Sequence, residues 1–376
     1  GDPDKRPDVL LTTYGTLRRD SEQLSKLSWR VMVMDEAQAV KNTGTGAYAA
    51  ASSFPADRVI AMTGTPVENR LMEYWSIFSI VQPGLLGTAS DFRENFSVPI
   101  ENEHDPRAAE AFRKLVAPFM LRRMKTDKAI ISDLPDCIVQ DVMTTLLPEQ
   151  AYLYQETLTR NLDAISRAEA NSRDKQVKRR ALVLKLITEL KQICNSPSQY
   201  NKQWSETPDS AKAETLFELL DECRENGRRV LVFTQYREMG ELLQGWIAKK
   251  TGRKPEFLHG GVSVARRAVM VDDFQNNPDS HILLVSLKAG GTGLNLTAAS
   301  VVIHYDLWWN PAAESQASDR AWRIGQQRDV LVYRFVTEGT FEERINEMLT
   351  EKRRITDLAV SSGENWVGDM STSELR

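Results

Sequence analysis

Two adjacent carboxylates, Asp35 and Glu36, directly follow an apolar run of the sequence at residues 31–34. Parallel α/β sheets bind ligands at the carboxyl ends of their strands, which is where this pair would lie. Two carboxylates there suit magnesium-nucleotide hydrolysis, because one can hold the metal through water while the other orients the attacking water. An acidic turn after an ordinary strand explains the pair equally well when it is considered alone.

A second polar cluster lies between Pro311, a good first-turn residue, and Gly325, which marks a helix end. On a helix, Gln316, Arg320 and Arg323 fall three or four residues apart and share one face. Two guanidinium groups on that face could stabilise the charge of a transferring phosphoryl group, as arginine fingers do. The alternative is a solvated helix with surface salt bridges.

Two turns rich in glycine and hydroxyl groups follow other apolar runs. The first, Thr63-Gly64-Thr65, can hydrogen-bond a neighbouring carboxylate or phosphate. The second has backbone amides that can cradle phosphate or lie against a nucleic-acid strand; it contains Lys288, Gly290, Gly291, Thr292 and Gly293. Because the lysine precedes the glycines, this segment is not a nucleotide P-loop. An ordinary tight turn explains either segment in isolation.

Short continuous apolar runs must position these groups. They occupy residues 8–12, 30–34, 58–62, 229–233, 281–285 and 300–304. Continuous rather than alternating apolar character is typical of strands buried on both faces, so we predict parallel sheets flanked by helices. The chain loses this character between residues 147 and 200 and becomes helical and charged. The predicted fold class is therefore α/β, with two lobes joined by a helical insert.

The composition is that of an ordinary globular protein, with 41% hydrophobic and 27% charged residues among 376. The net charge of −4 offers no bulk attraction for nucleic acid, so a polyanion must meet a local basic surface. Candidate basic runs lie at residues 122–125, 178–180 and 266–267, although each is more often a solvated face.

Three cysteines lie far apart, which argues against a disulfide framework or a zinc cluster and suits a reducing compartment. No apolar run approaches the roughly 18 residues that a bilayer span needs. The first twenty residues also lack a signal-peptide core. We therefore expect a cytoplasmic protein with no membrane partner.

In their order along the chain, these segments resemble the motif series of the SWI/SNF-type ATPases, which are superfamily 2 double-stranded-DNA translocases. The resemblance extends over residues 8–350 and is most specific at residues 287–296 and 319–326. Bacterial members associated with RNA polymerase recycling or DNA repair are the most similar in character. The matching segments are residues 12–14, 35–38, 63–66, 231–235, 259–261, 286–293 and 316–326.

The resemblance implies two RecA-like parallel-sheet lobes, the first incomplete, that close on ATP and move along double-stranded DNA without separating its strands. The expected domains are residues 1–146 for the first lobe with a helical protrusion at about 70–125, 147–208 for the helical insert and linker, 209–350 for the second lobe, and 351–376 for a bracing-helix end and tail. The expected cofactors are ATP and Mg²⁺. The expected partners are double-stranded DNA and a protein cargo on it, for which RNA polymerase is one candidate. In a bacterium the protein would associate with the nucleoid.

The resemblance also implies roles for single residues. Asp35 would hold Mg²⁺ through water and Glu36 would activate the attacking water. Gln316, Gly293 and the finger candidates Arg320 and Arg323 would complete the ATP site. The residues expected to face DNA are Thr63, Gly64, Thr65, Thr234, Gln235, His259, Lys288, Gly290, Gly291, Thr292 and Trp309. Phosphate contacts dominate such tracking, so DNA affinity should fall steeply with salt.

The family's phosphate-binding loop, G-x-x-x-x-G-K-[ST], has no match, and the sequence contains no Gly-Lys dipeptide. We expect a truncation within the first lobe, so that this fragment alone does not hydrolyse ATP while its parent protein does. The absent strand should leave apolar edges exposed, and the absent part of the lobe is an expected partner. The alternative is a catalytically silent nucleic-acid-binding or partner-docking module. A strand-separating helicase is less expected.

Overall fold

The computed structural model describes residues 8–64, 70–103, 105–121, 123, 125, 133–171, 175–286, 293–308 and 310–355. The chain divides into two compact units, the first ending at Leu121 and the second covering residues 122–355. Each unit contains its own parallel sheet. Within the described ranges, no helix is long and apolar enough to cross a membrane.

The first unit is built on a two-stranded parallel sheet, in which β1 (Trp29–Met34) pairs with β2 (Ala56–Ala61). The register sets Met34 beside Ala61, so the two strands end at the same level and the residues that follow them lie close together. The helices of this unit are α1 (Tyr14–Arg19), α2 (Ser21–Leu24), α3 (Gly46–Ser52), α4 (Met72–Val81), α5 (Ala89–Phe92), α6 (Val98–Glu101) and α7 (Pro106–Val116).

This sheet is buried on one face only. Met32 and Met34 pack with α1 and α3 in the core, whereas Val31, Val33 and Ile60 on the other face are about half exposed, at 48%, 54% and 50%. The prediction that both faces are buried is therefore wrong for these strands. The strand predicted at residues 8–12 is also wrong, because these described residues pair with no neighbouring strand.

The residues of the predicted helical protrusion have a core of their own. Helices α4 to α7 surround a group of aromatic rings, in which Phe92 and Phe112 are fully or nearly buried and their centroids lie 5.7 Å apart. Edge-to-face ring pairs of this kind contribute about 0.5–1.5 kcal/mol beyond the burial of their area.

The second unit contains a six-stranded parallel sheet with the order β3-β8-β7-β4-β6-β5. In chain order the strands are β3 (Cys137–Thr144), β4 (Arg229–Thr234), β5 (Glu256–Leu258), β6 (Ile282–Ser286), β7 (Ala299–His304) and β8 (Val330–Thr337). The helices are α8 (Pro148–Asn171), α9 (Lys175–Asn195), α10 (Pro197–Asn201), α11 (Ala211–Glu225), α12 (Arg237–Thr251), α13 (Val264–Asn276), α14 (Pro311–Ser318) and α15 (Phe341–Ile355).

The central strands β4, β6 and β7 are buried on both faces, as their continuous apolar runs predicted. Helices α11 and α12 cover one face, where Trp246 is almost fully buried. Helices α13 and α14 cover the other, where Phe274 is equally buried. The predicted α/β class with parallel sheets flanked by helices is thus confirmed.

Strand β3 lies at the edge of the second sheet, where it pairs with β8 along its whole length, from Cys137 beside Val330 to Thr144 beside Thr337. The predicted domain boundary at residue 146 assigned this strand to the first lobe instead. The position of β3 in the sequence could not show that it belongs to the second sheet, because its partner β8 follows it by almost two hundred residues.

The helical insert packs as a separate layer of the second unit. Helices α8 and α9 contact each other and receive Phe341, Ile345 and Leu349 of α15, the predicted bracing helix. A buried ion pair between Lys212 of α11 and Glu342 of α15, 2.7 Å long, ties this layer to the sheet. Removing one partner of such a pair costs about 3–5 kcal/mol, because the other charge is left buried and unpaired.

Candidate functional site

The acidic pair lies directly beyond the carboxyl end of β1, which ends at Met34. Asp35 is exposed, and its Oδ1 accepts a hydrogen bond from the Glu36 backbone N–H at 2.9 Å. Glu36 adopts a left-handed backbone conformation, with φ 49° and ψ 52°, which is uncommon outside glycine. Residues held in such conformations cluster at functional sites, where the surrounding structure maintains the strain.

Two further hydrogen bonds maintain this turn. The Tyr14 hydroxyl donates to the Asp35 carbonyl at 2.8 Å. The Ala37 N–H donates to the Met62 carbonyl at 2.9 Å, which joins the turn to the end of β2. Burial, together with the charges of Asp35 and Glu36, raises the pKa of Tyr14 to about 12. The hydroxyl therefore stays protonated at neutral pH and remains a donor.

Gln38 connects the acidic pair to the predicted hydroxyl turn. Its Nε2 donates to Glu36 Oε2 at 2.6 Å, and its Oε1 accepts from the Thr63 hydroxyl at 2.6 Å. The sequence reasoning gave no role to Gln38 or Tyr14, although both lie inside the matching segments. Gly64 is exposed beside Thr63, and Thr65 lies outside the described residues.

The carboxylates suit a magnesium ion that arrives with a nucleotide. Mg²⁺ usually keeps several waters and takes one or two carboxylates plus substrate phosphates, rather than a full protein cage. In the described part of the chain, no group of three or more His, Cys, Asp and Glu side chains is placed to hold a metal. Asp35 supplies the hard oxygen ligand that this mode of binding requires.

The segment with the two predicted finger residues is only partly helical. Helix α14 ends at Ser318, and the chain then forms a turn at residues 319–325, which we call the arginine turn. The prediction of one shared helical face is therefore wrong. Gln316 is half-buried on α14, whereas Arg320 is buried at 6% exposure and Arg323 is exposed. The structure thus separates the two guanidinium groups by environment.

Gln326 anchors the chain just after the arginine turn. Its buried Nε2 donates to three backbone carbonyls, those of Thr297, Ala299 and Ala321. Gly325 precedes it with φ 101°, a left-handed conformation that glycine adopts without strain. These contacts hold the chain against Thr297 in the loop before β7 and against Ala299, the first residue of β7.

Two predicted DNA-contacting residues lie instead in a buried polar network. Thr234 at the end of β4 is fully buried, and its hydroxyl donates to Asp306 Oδ2 at 2.5 Å. The Gln235 backbone N–H donates to Asp306 Oδ1 at 2.9 Å, and its side chain donates to the Leu307 carbonyl. Burial raises the pKa of Asp306. The aspartate after β7 thus engages the Thr234 hydroxyl inside the unit, and the DNA contact of Thr234 and Gln235 stays a prediction.

His259 follows β5 at a half-buried position, and its Nδ1 accepts from the Gly261 N–H at 3.1 Å. Burial and the nearby Arg237 lower its pKa, so the ring is neutral at pH 7. Gly293 is exposed with φ 36°. The remaining predicted residues, Lys288, Gly290, Gly291, Thr292 and Trp309, lie outside the described residues.

His304, the last residue of β7, lies beneath the end of α14. It is fully buried, and its Nε2 is 2.9 Å from the Ser318 hydroxyl. Burial, with a smaller effect of Arg334, lowers the pKa of this imidazole from 6.5 to about 3. Between about pH 3 and pH 6.5, His304 therefore binds a proton in the unfolded chain but not in the folded chain. Because the unfolded state binds more protons, the stability of the fold is lost as the pH falls below about 6.5.

We expect His304 alone to lower the free energy of unfolding of the second unit by about 1.4 kcal/mol for each unit by which the pH falls. This applies at pH values well inside the range from about 3 to 6.5, the pKa values of the folded and the unfolded chain. The measurement is urea unfolding of the wild type and His304→Gln at about pH 5.5 and 4.5. The variant should lose that part of the pH dependence, whereas His259→Gln at a partly exposed position should keep it. An equal pH dependence in wild type and His304→Gln would contradict the prediction.

Fold and site together define an α/β protein of parallel sheets that carries an acidic pair suited to nucleotide chemistry at a strand end. The sequence matches the SNF2-related domain family over residues 4–199, more than half of the chain, and the helicase conserved C-terminal domain over residues 211–325. The chain therefore belongs to the SNF2-related family, which confirms the resemblance found in the sequence.

One curated relative is the putative ATP-dependent helicase/translocase YwqA of Bacillus subtilis (strain 168), which is 40% identical over 371 residues. The alignment covers 98% of this chain and 39% of the relative, so the chain spans about two fifths of the relative's length.

Two solved structures from Sulfolobus solfataricus are similar in fold. The SWI2/SNF2 ATPase core in complex with double-stranded DNA is 38% identical with a TM-score of 0.57, and the match covers 98% of this chain and 76% of that one. The C-terminal domain of the SWI2/SNF2 ATPase is 33% identical with a TM-score of 0.54, covering 64% of this chain and 97% of that domain. The predicted RecA-like ATPase-core fold is thus confirmed.

Proposed function

We propose that this chain is part of an ATP-dependent motor that moves along double-stranded DNA. The observation that carries the proposal is the hydrogen-bonded series Glu36–Gln38–Thr63, in which both bonds measure 2.6 Å. It joins a carboxylate suited to activating water to the turn after the next strand. A change at a bound nucleotide can therefore be transmitted to a second segment of the same unit.

In this proposal Mg²⁺ neutralises charge on the phosphates when it is bound with ATP. Asp35 takes the metal-holding role and Glu36 takes the proton of the attacking water. Gln38 and the Tyr14 hydroxyl fix the Glu36 side chain and the Asp35 backbone. Arg323 supplies positive charge for the transferring phosphoryl group, because it is the exposed member of the arginine pair.

Double-stranded DNA is the proposed track, which the solved relative bound to that ligand supports. The DNA-contact candidates among the described residues are Thr63, Gly64, Thr234, Gln235 and His259. Remodelling of a protein cargo on DNA and association with the nucleoid belong to the same proposal and rest on the family alone, whereas the proposed cytoplasmic location rests on the sequence.

The phosphate-binding loop, in this proposal, comes from polypeptide beyond these 376 residues. The sequence contains no Gly-Lys dipeptide, and the chain spans 39% of its Bacillus relative. The exposed apolar face of the β1–β2 sheet, formed by Val31, Val33 and Ile60, is a suitable surface for that polypeptide.

We expect the isolated 376-residue chain to show no DNA-stimulated ATP hydrolysis, because the loop's amides and lysine are the main anchors of the β- and γ-phosphates. The measurement is phosphate release with and without double-stranded DNA. Robust turnover by the isolated chain would overturn this assignment of the loop.

The translocase itself is tested on a protein that carries this chain together with the loop. It should displace the third strand of a DNA triplex in an ATP-dependent manner and leave a forked duplex intact. Strand separation of the duplex would favour a helicase instead, and failure of both assays together with absent ATP turnover would favour a silent binding module.

A further inference from the structure

A lysine outside the proposed site, Lys125, contacts the arginine turn at three points. Its Nζ lies 2.8 Å from Asp319 Oδ1 and donates to the Trp322 carbonyl at 3.1 Å. The same ammonium lies 5.5 Å from the centroid of the Trp322 ring, within the range of a cation–π interaction. These contacts reach Asp319, the residue before Arg320, and Trp322, the residue before Arg323.

Two further hydrogen bonds join the arginine turn and the residues after it to Pro135 and Asp136, which directly precede β3. The Trp322 indole N–H donates to the Pro135 carbonyl at 2.7 Å. One residue further on, the Asp136 N–H donates to Asp329 Oδ1 at 3.0 Å. Lys125 and Pro135, both of which precede the edge strand β3 in the second unit, therefore fix the arginine turn.

Lys125 is chemically suited to this position. An ammonium carries three donor protons and a positive charge. Here it forms an ion pair with the Asp319 carboxylate, a hydrogen bond to the Trp322 carbonyl and a cation–π contact with the Trp322 ring. The side chain is 35% exposed, and its ammonium is paired with Asp319 inside the second unit. This differs from the sequence interpretation, in which the basic run at residues 122–125 was a candidate for attracting DNA.

We propose that Lys125 is a positioning residue that holds the arginine turn in the conformation from which Arg323 acts. Backbone hydrogen bonds such as that from the Leu296 N–H to the Arg320 carbonyl hold the start of the turn, and Lys125 adds side-chain contacts at Asp319 and Trp322. Lys125 belongs to the second unit, which begins at residue 122, so the contact lies within that unit. The inference rests on the proposed function, in which Arg323 serves ATP hydrolysis.

The contact is tested first by hydrogen exchange, which does not depend on ATP. Lys125→Met keeps the aliphatic stem and removes the charge, and it should raise amide exchange at residues 320–326 at least tenfold while the central strands stay unchanged. The matched control is Lys249→Met, since Lys249 pairs with Glu206 at 3.2 Å on the surface of the same unit. Unchanged exchange at residues 320–326 in Lys125→Met would overturn the inference.

The role is tested second by steady-state kinetics on a protein that carries the chain with the phosphate-binding loop. Lys125→Met should lower kcat about tenfold or more, because small displacements of a positioned group can cost up to about a hundredfold in rate. KM for ATP and the affinity for DNA should stay within about twofold. Lys125→Arg, which can contact both Asp319 and the carbonyl, should recover about half of the wild-type kcat, and Lys249→Met should match the wild type.

A merely structural role would lower the melting temperature without this selective loss of kcat, and a kcat within twofold of wild type would overturn the inference. If the wild-type protein hydrolyses no ATP, the proposed function fails and the kinetic role fails with it. The exchange experiment still decides separately whether Lys125 holds the turn.

Discussion

Replacing Glu36 with glutamine is expected to lower ATP turnover by about 10²–10⁴-fold in a protein that joins this chain to the phosphate-binding loop, the range that a positioned general base contributes. Glutamine has nearly the same shape and can still accept the hydrogen bond that Gln38 donates to Glu36 at 2.6 Å. The turn and its left-handed backbone are therefore kept, and only the proton acceptor is removed.

The measurement is single-turnover hydrolysis at saturating ATP and double-stranded DNA. Binding of ATP and DNA should stay within about twofold of wild type, because the substitution acts on the chemical step. Glu22→Gln is the matched control, since Glu22 is an exposed residue of α2 paired with Lys26. Turnover of Glu36→Gln within tenfold of wild type would contradict the assigned role.

The second large effect is expected at Arg323. Its replacement by alanine should lower kcat by about 10³-fold or more, as the loss of an arginine finger does. The side chain is exposed, so the free energy of unfolding should change by no more than about 0.5 kcal/mol. Arg323→Lys should recover little activity, because an ammonium lacks the planar, multiple donors of a guanidinium.

Arg320 gives the contrasting case in the same turn. Its guanidinium is buried at 6% exposure, so Arg320→Ala should lower the stability of the second unit as well as activity. Urea unfolding combined with phosphate release separates the two variants, and Arg224→Ala on the exposed face of α11 serves as the control. Wild-type turnover of Arg323→Ala, or an equal loss of stability in both variants, would contradict the distinction.

Local features of the sequence predicted much of the fold. The continuous apolar runs at residues 229–233, 281–285 and 300–304 correspond to β4, β6 and β7, because strands covered on both sides consist mainly of apolar residues. The acidic pair followed β1 as predicted, since the end of a strand and the residue after it are adjacent in the chain.

Long-range pairing limited the other predictions. The sequence analysis assigned β3 to the first lobe. The pairing that places β3 in the second sheet could not be seen, because its partner β8 lies almost two hundred residues later. Val31 and Val33 have the same apolar character as the central strands, yet the residues that the structure describes leave their face exposed. The burial of a strand depends on which other elements pack against it. The residues of the strand do not determine which elements those are.

The sequence by itself determined the family, the parallel α/β class and the order of the acidic, hydroxyl and arginine segments, because each rests on residues that are neighbours in the chain. Only the tertiary structure decided which of their side chains are available for chemistry. The buried Thr234 hydroxyl is bonded to Asp306, which lies 72 residues later, and Arg320 is buried whereas Arg323 is exposed in one short turn. The physical reason is that hydrogen bonds and burial join residues close in space, whatever their separation along the chain.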